Sequence, residues 1–150
     1  MEFHPVSCKL SVEICRSESV LVFSLLVEFS ELFDLVDSRN RQKAFAEIED
    51  IMIPSGRWKD LENTLVRVED VDSFDLLEAG IGYANSHNPI FPDTVNFGEF
   101  ADGLVDIQIV GEIDGRFTGP PELEHEFQWK TKAIYDADRF DAVQREFNSL

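Results

Sequence analysis

Between Val6 and Ile14 the chain reads V-S-C-K-L-S-V-E-I, with every second residue apolar and polar residues between. A two-residue period sends successive side chains to opposite faces of an extended chain. The stretch therefore predicts a half-buried β-strand and argues against a helix. A turn-forming R-S-E-S follows, and then residues 20–29, where Leu21, Phe23, Leu25, Val27 and Phe29 share one face. Together these segments predict an N-terminal hairpin. Phe29, Leu32, Phe33 and Val36 fit a 3.6-residue period, so a short helix is expected to begin near Ser30.

A second block of alternation fills the C-terminal third. V-N-F-G-E-F (95–100) leads to Asp102-Gly103, a turn pair, and then to residues 104–117 with Val105, Ile107, Ile109, Ile113 and Phe117 on one face. T-G-P-P-E reverses the chain, which returns through 123–135 with Leu123, Phe127, Trp129, Ala133 and Tyr135 inward. Asp136 or Asp138 is placed to cap a last helix with Phe140, Val143 and Phe147 as its buried stripe.

The middle reads differently. In N-R-Q-K-A-F-A-E-I-E-D-I-M-I-P (40–54), Phe45, Ile48 and Met52 fall at i, i+3, i+7, and Pro54-Ser55-Gly56 ends the run, which predicts a helix. Residues 57–71 fit a helix through Trp58, Leu61 and Leu65, or a strand from Leu65 to Val71. Ser73 is placed to cap a helix through F-D-L-L-E-A-G-I-G-Y-A, and S-H-N-P-I-F-P-D-T (86–94), with two prolines, reads as a loop. The expected fold is a single α+β domain over residues 1–150. Its antiparallel sheet, an N-terminal hairpin plus a C-terminal three-strand meander, is packed by helices on one face.

A chain of 150 residues, 43% hydrophobic and with 13 phenylalanines, can build one sizeable core. The longest apolar run, 20–27, contains Ser24 and falls well short of a membrane-spanning helix. The N-terminus carries an acid at position 2 and no basic segment ahead of an apolar one, so a cytoplasmic location is expected. On one strand Cys8 and Cys15 would lie ~23 Å apart, far beyond disulfide reach.

The formal net charge is −17. That argues against direct nucleic-acid binding and favours a basic partner. The charge is uneven: residues 1–60 hold 11 acids and 7 bases, whereas residues 69–126 hold 14 acids and one base, Arg116. Solubility alone predicts acids spread over the whole surface. With the turn centred near residue 119, Asp114 faces Glu124 and Glu112 faces Glu126, while Asp106 and Gln108 face Lys132 and Lys130. One end of this hairpin is balanced by bases and the other sets acid against acid, which is destabilising across a ladder.

The other motifs carry less. Asp70 and Asp136 open segments resembling calcium loops, but position 5 holds Phe74 or Phe140 and position 6 lacks glycine. Gly80-x-Gly82 has Asn85 where a dinucleotide fingerprint needs a third glycine. His4, His87 and His125 are scattered without metal-ligand spacing, and His125 alternates onto the face of Phe127 and Trp129. No cofactor is implied. Tyr83, Phe91, Phe97 and Phe100 flank the acidic stretch as candidate contact aromatics.

The expected function is therefore protein binding rather than catalysis. The leading form is an immunity protein or toxin inhibitor that masks the phosphate-binding cleft of a basic, nuclease-like partner. A non-inhibitory accessory domain for a basic protein is the alternative, and an enzyme using its carboxylates with a divalent cation is the second. The expected partner-binding residues are Glu99, Asp102, Asp106, Glu112, Asp114, Glu122, Glu124 and Glu126.

Overall fold

A computed structural model describes residues 3–34, 41–71, 78–83, 86–113 and 126–150. Eight strands run β1 (Pro5–Cys15), β2 (Val20–Asp34), β3 (Arg41–Met52), β4 (Leu65–Arg67), β5 (Glu78–Tyr83), β6 (Ser86–Phe97), β7 (Leu104–Ile113) and β8 (Glu126–Ile134). The one α-helix among the described residues, α1 (Ala137–Asn148), lies at the C-terminal end. The sheet order is β4-β6-β5-β3-β2-β1-β8-β7, and β6 also pairs with β7. That extra ladder closes seven strands into a barrel and leaves β4 as a short outer strand on β6.

The α+β expectation is thus overturned: 61% of the structure is strand, and no layer of helices covers an open sheet. At both ends of the chain the expected strand pairings, β1 with β2 and β7 with both β6 and β8, are present, while the turn at 118–122 with Phe117 and Leu123 lies outside the described residues. The error lies between the two ends. Residues 41–52 form β3 rather than a helix, because Ala44, Ala46 and Ile48 are buried at a spacing of two and then Ile51 and Ile53 resume after one extra residue. Asp50 takes φ 63° at that point, and its N–H donates to Ser24 Oγ at 3.0 Å. A bulge therefore interrupts the alternation there, and the helical spacing of Phe45, Ile48 and Met52 joins the inward Ile48 to two residues that are only half-buried.

β2 continues to Asp34 where a helix was expected. Residues 78–83 form β5 instead of the end of a helix, while 72–77 lie outside the described residues. Residues 86–97 form β6 instead of a loop. Both prolines sit where a strand tolerates a missing N–H. Pro89 precedes the β7 ladder, which starts at Ile90, and Pro92 adjoins a bulge between Pro92 and Thr94. Residues 57–71 combine short 3₁₀ turns at Trp58–Leu61 and Val68–Asp70 with β4.

The barrel interior is filled by side chains. Leu21, Phe23, Leu25, Val27 and Phe29 of β2 are all buried, as are Val105, Ile107 and Ile109 of β7. Val6 departs from the β1 alternation and is exposed, because the β1–β2 register shifts between Pro5 and Ser7. At the end where β8 finishes, Trp58 stacks edge-on against Phe100 and Phe140, with ring centroids 5.5 and 5.2 Å away. Helix α1 is capped by Asp136, which accepts from Arg139 N. It is pinned through Trp58 Nε1, which donates to Asp141 Oδ1 at 3.1 Å, and through Gln144, which accepts from Trp58 N and donates to Gly56 O.

At the opposite end Phe3 is buried against Phe29, whose ring also meets Trp129 at 4.7 Å. The next residue, His4, ties this segment to β2: its N–H lies 3.0 Å from Glu31 Oε2 and its Nδ1 lies 2.5 Å from Glu31 Oε1. Burial works to raise the Glu31 pKa, but the hydrogen bonds from His4 outweigh it and hold the carboxyl below its ordinary range. A depressed carboxyl contributes stability above its unfolded pKa and loses it as pH falls through the folded value. Stability is therefore expected to drop on acidification below about pH 4.5. Glu31→Gln should flatten that part of the profile, read as the urea midpoint at stepped pH.

Gly111 of β7 stands under the β6 bulge. A Cβ there would meet Phe91 O at 2.4 Å, Pro92 Cα at 2.7 Å and Phe127 Cζ at 2.8 Å. Two of these neighbours are backbone atoms of the ladder that closes the barrel, so they cannot rotate away. Gly111→Ala should destabilise by about 2–3 kcal/mol in urea unfolding, and a loss under 0.5 kcal/mol would mean the closure is not packed as described.

A candidate acidic face on β6, β7 and β8

Alternation on β7 and β8 turns the polar residues outward, and the β7–β8 ladder sets which of them meet. Asp106 pairs with Lys132, Gln108 with Lys130, Val110 with Gln128 and Glu112 with Glu126. This is the register expected from the sequence. At one end Lys132 Nζ lies 2.9 Å from Asp106 Oδ1. At the other end Glu112 and Glu126 stand directly opposite, both exposed.

The five expected contact residues that are described, Glu99, Asp102, Asp106, Glu112 and Glu126, do not form one patch. Glu99 and Asp102 belong to the turn region between β6 and β7, at the end of the barrel where β7 begins. Asp102 occupies a left-handed position with φ 56°, next to Gly103 with φ 76°. Both central residues at positive φ make the tight primed turn that suits a two-residue hairpin, and Ala101 and Leu104 exchange backbone hydrogen bonds across it. Eight residues of strand, about 26 Å, separate Leu104 from Glu112. Asp106 is already paired with Lys132. Asp114, Glu122 and Glu124 lie outside the described residues, as does His125.

What remains is smaller and was only partly visible in the sequence. β6 pairs with β7 so that Phe91 stands opposite Glu112, and Glu112 in turn stands opposite Glu126. Directly opposed residues share a face, so Phe91, Glu112 and Glu126 make one outward row across three strands. The bulge turns Asp93 outward as well, and Asp93, Glu112, Glu126 and Gln128 line an open groove of about 530 Å³ over Gly111. Asp93 was missed because nothing in P-D-T signals a bulge inside a strand. Of the four aromatics singled out, Phe97 is buried, Phe100 packs against the core, Phe91 is 56% exposed, and the Tyr83 side chain lies outside the described ones.

The remaining chemistry is sparse. Among the described residues, no group of three or more His, Cys, Asp or Glu is arranged to hold a metal ion. Cys8 is a free thiol whose pKa burial pushes up to about 12, so little thiolate is present at neutral pH. Among the described residues, no helix is long and apolar enough to cross a membrane. No family model, curated protein or solved structure matches this chain.

The Glu112–Glu126 opposition has a measurable consequence. Glu126→Lys replaces a repelling pair with an attracting one and should stabilise the fold by about 0.2–1 kcal/mol. The gain should shrink as NaCl rises, since exposed charges are screened within ~10 Å at 0.1 M salt. Thermal melts of both proteins across a salt series measure it, and equal melting temperatures at low salt would remove the repulsion from the account.

Proposed function

We propose that this chain is a small cytoplasmic binding module that docks a basic protein through the outward face of β6, β7 and β8. Its most concrete form is an immunity protein or inhibitor that covers the phosphate-binding cleft of a nuclease-like toxin. The observation that supports this reading is the row Phe91–Glu112–Glu126. It places two carboxylates, with no base beside them among the described residues, and an open aromatic ring side by side on paired strands. Carboxylates fixed in a row offer a basic cleft the same sign of charge as a phosphate backbone, and opposite potentials speed encounter. Binding to a basic patch fits the geometry better than catalysis, because the carboxylates lie in an open groove on the outer surface and no Ser, Thr, Cys, Lys or His is among the described residues that line it.

A pull-down at low salt, eluted with rising NaCl, tests the reading. A basic protein should be captured and released within the range where the Debye length falls below ~8 Å. The double variant Glu112→Lys/Glu126→Lys keeps like charges opposed, so its stability should stay close to that of the parent. Capture should nevertheless drop at least tenfold. Undiminished capture by this variant would place the interface elsewhere. Where the captured protein is an enzyme, inhibition separates an immunity protein from an accessory domain.

A further inference from the structure

Phe91 is the one aromatic among the exposed large apolar residues of the described structure; the others are Val6, Leu26, Leu65, Leu104, Ile134 and Leu150. Its position is not that of a frayed loop. Phe91 lies inside β6, in register with Glu112, and the next residue, Pro92, pairs with Gly111. The missing side chain of Gly111 lets the backbone of Phe91 and Pro92 press onto β7. The bulge just beyond re-aims β6 and brings Asp93 into the groove that Glu112 and Glu126 line beside this row. Single exposed apolar side chains are ordinary on a protein surface; what marks Phe91 is that its fixed ring stands in one row with the carboxylates of Glu112 and Glu126.

We propose that the Phe91 ring is a stacking platform for an arginine side chain of the basic partner, with Glu112 and the groove beside it receiving the guanidinium. This rests on the reading of the face as a docking surface for a basic protein, and it names the side chain that the face selects. Charge alone does not distinguish arginine from lysine. An aromatic face does, because a planar and weakly hydrated guanidinium stacks on a ring while its edge N–H groups still donate to carboxylates. An ammonium is compact and strongly hydrated, and gains less from the ring.

The test uses nona-arginine and nona-lysine peptides of equal charge, titrated into the full chain at low salt and followed by calorimetry. The parent protein should bind nona-arginine about two- to fivefold more tightly than nona-lysine. Phe91→Ala should abolish that preference, weakening nona-arginine binding more than nona-lysine binding. Phe91→Tyr should retain it, and Phe91→Leu, which keeps apolar bulk without a π face, should lose it. Unchanged circular dichroism and melting temperature confirm that the variants fold. Equal affinity for the two peptides, or a preference that survives Phe91→Ala, overturns the proposal. If both peptides still lose affinity in Glu112→Lys/Glu126→Lys, the acidic docking face stands without its aromatic anchor. If neither peptide binds the parent protein, the docking reading falls, and the anchor falls with it.

Discussion

β6 serves three neighbours. On one edge its first residues pair with β5 and its last with β4, and along the other edge it pairs with β7 from Ile90 to Phe97. The β7 ladder is the closure of the barrel, and without it both β6 and β7 would present a row of unpaired backbone groups. Closure of an odd number of strands has a further cost. Directions cannot alternate around a ring of seven, so one neighbouring pair must run parallel. That pair is β1–β8, and it extends over only Cys8↔Ala133 and Lys9↔Ile134. Past Lys9 the flank of β1 is packed by α1, with Arg16 of the following turn bridged to Glu146. The terminal helix and its Trp58 cluster therefore sit where the ring is least well paired.

This division explains what could be read in the sequence. β1, the first part of β2, β7 and β8 alternate without interruption, and a period of two identifies each from its own residues. The β7–β8 register was also legible, because a turn centred near residue 119 sets Asp106 against Lys132 and Glu112 against Glu126, as the ladder does. β3 was not legible: Asp50 inserts one residue, shifts the inward set from Ile48 to Ile51, and leaves a pattern that a helix fits as well. β6 was hidden by Pro89 and Pro92, which are turn formers everywhere except at ladder ends and bulges. Closure itself has no local signature. Nothing within residues 86–97 indicates that they pair with β5, β4 and β7 at once, so an open sheet with helices over it was the simpler assembly of the same segments.

The acidic face was legible in the same partial way. Counting charges located an excess in residues 69–126, and alternation placed Glu112 opposite Glu126. Neither could show that Glu99 and Asp102 belong to the far end of the barrel. Nor could they show that Asp93 and Phe91 belong beside Glu112, since that follows from β6 being a strand with a bulge at Pro92. A charge count along the chain averages over both ends of every hairpin, whereas a docking surface is made of rows that cross strands.

The size of the repulsion matters to how this face is understood. An opposed pair of like charges costs roughly 0.2–1 kcal/mol. The ladder that carries it has nine residue pairs, and beneath it Ile109, Phe127 and Trp129 are buried. Burying even one such side chain contributes about 1.5–3 kcal/mol. Among the described residues the fold therefore holds Glu112 against Glu126 without a base to relieve them, although Lys130 and Lys132 lie four and six residues away on the same strand. Had balance at this position been the only requirement, a single base at residue 126 would have supplied it. The packing beneath would have been unchanged, because the side chain points to solvent. The unbalanced pair is thus a property of the outer surface alone, free to be set by what approaches it. Phe91, the one exposed aromatic among the described residues, stands in the same row.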